Sequence, residues 1–202
     1  MQVFITGTDT NVGKTVVCSW LCLQAGYDYF KPIQTGISEG RDSSLVSDYS
    51  NAHVYPEAYC YQAPVSPHLA AAAEQEVIDP KRIQLPLSNN LIIEGAGGVL
   101  VPINSTTLMI DLIEQFNVPV IIVASSCLGM INHTLLTLEA LRSRDQRVLG
   151  VIVAGELNDD SCRAVEEYGN TPILAQLPFL PAINKASLSR EPLSAKLTSI
   201  LL

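Results

Sequence analysis

The stretch of sequence that decides the fold is GTDTNVGKT, residues 7–15. It follows an apolar run at residues 3–6 and precedes a segment that predicts a helix running towards Ala25. A strand, a glycine-containing loop and a helix in this order can cradle phosphates, because backbone N–H groups face the anion at the helix N-terminus. Lys14 would neutralise phosphate oxygens, and the Thr15 hydroxyl can bind Mg²⁺. The stretch therefore predicts an ATP-binding P-loop.

The spacing within this P-loop departs from the common form, because five residues rather than four separate Gly7 from Gly13. Thr8 holds the usual place of the first glycine, which indicates the deviant branch of P-loop proteins. Partitioning ATPases of that branch use nucleotide as a dimerisation switch, and they usually carry a second lysine near the start of the loop. Residues 8–10 supply none. A switch of the partitioning type is nevertheless kept as the alternative function.

Two further polar residues follow predicted strands. Lys31 opens KPIQTG, residues 31–36, and Glu94 ends the apolar run of LIIEGAGG, residues 91–98. Because the carboxyl ends of parallel strands line one ligand crevice, we expect Lys31 and Glu94 on the same rim as Lys14. A carboxylate at such a strand end resembles a Walker B element and can hold Mg²⁺. From its hexapeptide alone, Lys31 is equally compatible with a solvated lysine before a proline turn.

The rest of the chain alternates short apolar runs with helical stretches, which predicts a parallel sheet covered by helices on both faces. Strands are predicted at residues 2–6, 28–31, 91–94, 119–124, 149–154 and 172–176. Helices are predicted at residues 109–116 and 131–141, from Ser66-Pro67 to Glu76, and at residues 192–202. We predict an α/β fold, a single doubly wound and mostly parallel sheet flanked by helices, of the deviant P-loop NTPase type, with residues 1–202 in one domain.

Composition argues against several other classes of protein. The formal net charge is −8 without a basic cluster, which argues against binding to nucleic acid. The longest apolar run, residues 118–124, is far shorter than the roughly 20 residues of a membrane helix. The N-terminus lacks the pattern of a signal peptide, so we expect a cytoplasmic protein with no membrane partner. Five cysteines without a Cys-x-x-Cys pair indicate reduced thiols, mostly in the core.

Five blocks of the sequence resemble, in order, the signature blocks of dethiobiotin synthetases. They are residues 7–15, 31–36, 66–68, 94–98 and 128–137, and the resemblance covers about residues 1–180. It implies ATP- and Mg²⁺-dependent carboxylation and ring closure of 7,8-diaminopelargonic acid with CO₂ to give dethiobiotin. In that family a carbamate forms on one amine, and ATP phosphorylates it to a carbamic-phosphoric anhydride. The second amine then closes the cyclic urea.

The resemblance also implies roles for individual residues. Lys14, Lys31 and Thr10 would be catalytic, with Lys14 bridging the phosphates and the carbamate and Lys31 stabilising the developing charge. The residues implied in ATP binding are Asn11, Val12, Gly13, Lys14, Thr15, Val16, Glu94, Gly97 and Pro178. The residues implied in substrate binding are Thr10, Lys14, Lys31, Thr35, Gly97, Leu128, Gly129 and Asn132.

The resemblance further implies a metal ion and a partner subunit. Mg²⁺ would be held by Thr15, Glu94 and an aspartate. Asp42 follows KPIQTG at about the family's distance, but the register is gapped and Asp48 is an alternative. In the family, the segment that corresponds to residues 128–134 holds the substrate's tail carboxylate across a subunit interface, so a homodimer with shared active sites is implied.

The region expected to bind the nucleotide base differs from that of many family members, which place an asparagine after the fifth strand. The aligned stretch is GVIVAGE, residues 150–156, in which neither Ala154 nor Gly155 can hydrogen-bond a base through its side chain. Asn158 can reach back only if the loop bends. Because a base pocket discriminates through polar groups that a wrong base leaves unpaired, we expect weak selectivity for ATP over GTP or CTP.

Overall fold

The structure is a computed structural model that describes residues 1–202. The strands are β1 (Gln2–Gly7), β2 (Asp28–Phe30), β3 (Ile33–Gln34), β4 (Val54–Tyr55), β5 (Tyr59–Cys60), β6 (Leu91–Gly98), β7 (Val120–Ser125), β8 (Val148–Gly155) and β9 (Ile173–Pro178). The helices are α1 (Lys14–Ala25), α2 (Asp42–Tyr49), α3 (Pro67–Ala73), α4 (Met109–Phe116), α5 (Met130–Arg142), α6 (Asp159–Gly169), α7 (Lys185–Ser189) and α8 (Ala195–Leu201), with a 3₁₀ turn at Pro80–Arg82.

Seven of these strands form one sheet in the order β4-β2-β6-β1-β7-β8-β9, and every neighbouring pair in it is parallel. The strands β2, β4 and β6 lie on one side of β1, and the later strands β7, β8 and β9 lie on the other. The strand order thus reverses at β1, which is the doubly wound arrangement. The predicted sheet is therefore confirmed. The short strands β3 and β5 pair with each other in a separate parallel ladder.

The strands carry continuous apolar runs because both faces of the sheet are buried. In β1, Phe4 packs into the core on one face, whereas its neighbours Val3 and Ile5 pack into the core on the other face. Residues of α3, α4, α5 and α6 complete the first core, and residues of α1, α2, α7 and α8 complete the second. The sheet therefore lies between two layers of helices, and the polar side chains of the candidate site lie towards the carboxyl ends of its strands.

Two of the predicted elements end earlier than expected. The strand β2 stops at Phe30 rather than at Lys31, because Pro32 has no N–H group to give to the sheet. Helix α3 stops at Ala73, short of the predicted end at residue 76, since Gln75 has a left-handed backbone with φ of 59°.

Several elements were not predicted at all. The strands β3, β4 and β5 have two residues each, too few to show an alternating pattern. The helices α2, α6 and α7 were also missed. The last helix begins at Ala195, later than predicted. The Ser194 hydroxyl caps this helix by accepting a hydrogen bond from the Leu197 N–H group.

All five cysteines are free thiols, and three of them are buried, in agreement with the expectation that most lie in the core. Cys18, Cys22 and Cys162 are buried, Cys60 is half-buried and Cys127 is exposed. None of the helices has both the length and the apolar character that crossing a membrane requires.

Candidate active site

The carboxyl ends of β1, β2 and β6 surround a cavity of about 740 Å³. Its walls come from the P-loop, the segment between β2 and α2, the start of α3 and the end of β6. The predicted site residues that line it are Thr10, Asn11, Gly13, Lys14, Thr15, Val16, Lys31, Thr35, Asp42, Glu94 and Gly97. Residues that are far apart in the sequence are thus brought together at one rim of the sheet.

The P-loop presents Lys14 to this cavity through its backbone conformation. Gly13 has a left-handed φ of 93°, and an added Cβ would lie 3.1 Å from the Ala154 side chain. Helix α1 begins at the next residue, Lys14, whose Nζ donates to the Asp9 carbonyl oxygen at 2.9 Å. Burial lowers the pKa of the Lys14 ammonium, and the Glu94 carboxylate opposes this effect. Lys14 is thus held close to the loop's own backbone, where phosphates bind in proteins of this class.

Glu94 accepts hydrogen bonds from three side chains. Its Oε1 accepts from Thr15 Oγ1 and from Lys31 Nζ, each at 3.0 Å. Its Oε2 accepts from the Tyr29 hydroxyl at 2.8 Å. The residue is only 1% exposed, so these donors replace the water that a free carboxylate would have. Burial and the Glu94 charge raise the pKa of the Tyr29 hydroxyl well above its usual value, so Tyr29 keeps its proton.

Lys31 joins the two acidic residues that were expected to hold Mg²⁺. Its Nζ donates to Asp42 and to Glu94, and the residue is 4% exposed, so the alternative of a solvated lysine is wrong. Burial alone would lower the pKa of Lys31, but the Glu94 and Asp42 carboxylates outweigh burial and raise it. Lys31 therefore stays cationic. Asp48 is exposed on α2 and does not line the cavity.

The oxygen atoms around Lys31 form a chemically suitable set for Mg²⁺. Thr15 contributes a hydroxyl, and Asp42 and Glu94 contribute carboxylates, within one hydrogen-bonded group. Mg²⁺ prefers such oxygen ligands and is usually held by one or two carboxylates together with water and phosphate oxygens. The three residues therefore fit the ion that the sequence implied.

Two buried side chains that sequence reasoning missed hold the site residues in place. Gln34 is 5% exposed. Its Oε1 accepts a hydrogen bond from the Asp42 N–H group at 3.0 Å, and its Nε2 donates to the Thr35 carbonyl oxygen at 2.7 Å. Tyr29 holds Glu94 as described above. Strand alternation puts Tyr29 on the same side of the chain as Lys31, two positions later, but it does not show that Glu94 lies opposite. Gln34 is uncharged and lies in a two-residue strand, so no pattern pointed to it.

The segment implied to hold the substrate's carboxylate does not reach the large cavity of its own chain. Leu128 and Asn132 are exposed, and Gly129, with φ of 100°, directly precedes helix α5. Leu128 and His133 line a second cavity of about 210 Å³, whose opposite wall is the P-loop from Thr8 to Val12. The P-loop thus separates this segment from the cavity that contains Lys31.

Two residues implied in ATP binding also lie outside the large cavity. Val12 is 7% exposed and packs into the core beneath the P-loop. Pro178 ends β9, where it is paired with Gly155 at the end of β8. Gly155 has φ of 123°, and an added Cβ would lie 2.5 Å from the Ser126 hydroxyl oxygen. An asparagine at this position would therefore be strained.

The Asn158 side chain is already hydrogen-bonded within the fold. Its side-chain oxygen caps α6 by accepting a hydrogen bond from the Ser161 N–H group at 3.0 Å. Its own backbone N–H donates to Gln176 Oε1 at 2.9 Å. Around it, Leu157 is 68% exposed and Phe179 is 76% exposed. Beyond the ends of β8 and β9, Leu157 and Phe179 are therefore exposed apolar side chains, and the Asn158 side chain is already hydrogen-bonded.

The central strand β1 leads through a glycine loop into helix α1, and the neighbouring strand β6 carries the acidic residue Glu94. This arrangement places the chain among the P-loop nucleotide-binding proteins. A protein-family model described as an AAA domain matches residues 1–187. The chain is 54% identical over 202 residues to the ATP-dependent dethiobiotin synthetase of Lawsonia intracellularis, with 100% of both chains covered. It is 46% identical over 192 residues to that of Paramagnetospirillum magneticum, with 94% of both chains covered. The chain belongs to the ATP-dependent dethiobiotin synthetase family, whose members are ligases.

The fold is also similar to a solved structure from a different functional class. The cell division ATPase MinD of Pyrococcus furiosus superimposes with a TM-score of 0.58 and 15% identity, covering 95% of this chain and 89% of that chain. At this identity the likeness shows the fold alone. It confirms the expected P-loop architecture and gives no support to the alternative of a nucleotide switch.

Proposed function

We propose that this protein makes dethiobiotin from 7,8-diaminopelargonic acid, CO₂ and ATP. Its relatives are named as ATP-dependent dethiobiotin synthetases. The observation that carries the proposal is the presence of two buried lysines, Lys14 and Lys31, in one cavity with Asp42 and Glu94. Two ammonium groups at one site can hold a polyphosphate and an anionic carbamate side by side, because the negative charges would otherwise repel each other.

The reaction needs positioning and charge stabilisation more than covalent catalysis by the protein. One amine attacks CO₂, and the new C–N bond gives a carbamate with loss of a proton. A carbamate oxygen then attacks the γ-phosphorus of ATP, and the bond from this phosphorus to ADP breaks. The second amine attacks the carbonyl carbon, closes the ring and expels phosphate. In the phosphoryl step the charge is spread over several oxygens, so fixed cations lower the barrier.

Lys14 and Lys31 divide this work according to their surroundings. Lys14 belongs to the P-loop and donates to the Asp9 carbonyl oxygen of the same loop. This position supports a role for Lys14 in donating to terminal phosphate and carbamate oxygens. Lys31 is kept cationic by its carboxylate neighbours and stabilises charge as it develops on the transferring group. Thr10 and Thr35 line the same cavity and would hydrogen-bond around the reacting groups.

Thr15, Asp42 and Glu94 would hold Mg²⁺, and their oxygen atoms suit it. When bound, Mg²⁺ offsets the charge of the β- and γ-phosphates. The backbone N–H groups of the P-loop and the start of α1, where Asn11, Gly13 and Val16 line the cavity, would hold the phosphates themselves.

The proposal includes a homodimer in which residues 128–134 of a second copy bind the tail carboxylate of the diamine. Asn132 and His133, in the first turn of α5, are exposed, and the N–H groups and dipole of a helix start suit a carboxylate. Leu128 is fully exposed although it is apolar, which supports its burial against another chain. Within one chain this segment lies on the far side of the P-loop from Lys31, so a substrate that touches both needs two subunits.

Measuring phosphate release with and without the diamine and bicarbonate tests this proposal. A synthetase releases phosphate from ATP only when both are present, because the carbamate is the nucleophile. Release that does not depend on the diamine would contradict the proposal and favour a nucleotide switch.

A further inference from the structure

Tyr29 lies beneath the candidate active site and does not line its cavity. The residue is fully buried in β2, and its hydroxyl donates to Glu94 Oε2 at 2.8 Å. The other two donors to this carboxylate, Thr15 and Lys31, do line the cavity, and both contact Oε1. Glu94 is therefore oriented with Oε1 towards the cavity and Oε2 towards the core.

The Tyr29 hydroxyl opposes rotation of this carboxylate. An ionised carboxylate only accepts hydrogen bonds, so a buried Oε2 needs a donor, and Tyr29 supplies it. Without the hydroxyl, a charged oxygen would be left buried and unpaired, which is costly. Turning Oε2 towards the cavity would relieve this cost. The hydroxyl thus determines how many oxygens Glu94 presents to the nucleotide site.

The geometry points to Tyr29 as a positioning residue that restricts Glu94 to a one-oxygen contact with the metal ion bound to ATP, and so favours Mg²⁺ over Ca²⁺. The inference rests on the proposed role of Glu94 in holding Mg²⁺. Mg²⁺ demands a compact octahedral shell, whereas Ca²⁺ takes more oxygens and accepts both oxygens of one carboxylate. Tyr29 acts on this choice through Glu94 and touches neither the ion nor the substrate.

The chain offers a matched control two positions away. Tyr27 is also buried, and its hydroxyl donates to the Leu201 carbonyl oxygen at 3.0 Å, away from the cavity. Tyr29→Phe and Tyr27→Phe each remove one buried hydroxyl and keep the ring in the core. We expect both variants to lose some stability, because each loses one buried hydrogen bond. Only Tyr29→Phe is expected to change the preference between metal ions.

The experiment measures the dissociation constant of ATP by calorimetry for the full-length protein, once with Mg²⁺ and once with Ca²⁺. For Tyr29→Phe we expect Mg²⁺-dependent ATP binding to weaken by about 10-fold, and Ca²⁺-dependent binding to stay unchanged. The ratio of the two constants then shifts towards Ca²⁺ by about 10-fold, while Tyr27→Phe keeps the wild-type ratio to within about twofold. An unchanged ratio in Tyr29→Phe, or an equal shift in Tyr27→Phe, overturns the inference. ATP binding by the wild type that does not respond to the metal ion overturns it as well.

A double-mutant cycle tests whether Tyr29 acts through Glu94. In the Glu94→Gln background, adding Tyr29→Phe should leave the Mg²⁺ to Ca²⁺ ratio unchanged, and a further shift would refute this route. Dethiobiotin formation by the wild type is measured on the same preparations. Its absence counts against the proposed function, whereas normal formation with an unchanged binding ratio in Tyr29→Phe counts only against the role of Tyr29.

Discussion

The two regions proposed to bind the phosphates and the base of the nucleotide are built differently. Lys31, directly after β2, and Glu94, within β6, are 4% and 1% exposed and joined by a direct hydrogen bond. At the ends of β8 and β9, Gly155 has no side chain, and Phe179 is 76% exposed. Buried polar groups that satisfy one another hold one geometry, since moving any of them leaves another unpaired. From this difference we expect the chain to constrain phosphate chemistry strongly and to discriminate between bases weakly.

The largest effect is expected on the phosphate side, at Lys14. Lys14→Ala removes a cation that both the phosphates and the carbamate need, so dethiobiotin formation should fall by about 10³-fold. Lys81→Ala is the control, because Lys81 is exposed on the 3₁₀ turn. Turnover in Lys14→Ala comparable to that of the wild type would remove the basis for the P-loop assignment.

Lys31→Ala should act on the rate more than on nucleotide affinity. Its proposed contact strengthens only as charge develops, so kcat should fall by about 100-fold while KM for ATP changes by less than about threefold. The variant also leaves the buried Glu94 carboxylate without its cation, so rates are compared below its own unfolding temperature. Weak ATP binding with normal kcat at saturation would instead make Lys31 a ligand of bound phosphate.

Mixing two inactive variants tests whether the site is shared between subunits. Asn132→Asp places a negative charge where the tail carboxylate would bind, on an exposed helix position that tolerates the change. In a random mixture with Lys14→Ala, half of the dimers are mixed and one of their two sites is intact, so about a quarter of wild-type activity should return. No recovery, with mixed dimers verified by mass, would place the whole site within one subunit.

The smallest effect is expected on the base side. We expect kcat/KM for ATP to exceed that for GTP or CTP by less than about 100-fold, on the order of 2.7 kcal/mol, because no side chain is placed to pair with the base edge. Asn158→Ala should leave this ratio unchanged and cost about 1 kcal/mol of stability, since Asn158 caps α6. A larger preference for ATP that Asn158→Ala abolishes would show that Asn158 binds the base.

The sequence predicted the parts of this molecule that repeat a pattern. Continuous apolar runs predicted the central strands, and the P-loop predicted the position of Lys14 and the start of α1. The two-residue strands β3 and β5 were missed because they have no period, although β3 places Gln34 beside Asp42. Tyr29 was missed because an apolar strand residue is normally core, and only the Glu94 contact gives it a further role. Such roles depend on tertiary neighbours that no local pattern contains.

We propose above that this chain closes a cyclic urea with a carbon taken from CO₂, at the expense of ATP. The most direct test of this proposal supplies carbon-13-labelled bicarbonate, the diamine and ATP to the purified protein and follows the product by mass spectrometry and carbon NMR. We expect dethiobiotin labelled only at the urea carbon, with one ADP formed for each ring that closes. An unlabelled product, or ADP formed without any ring, would contradict it.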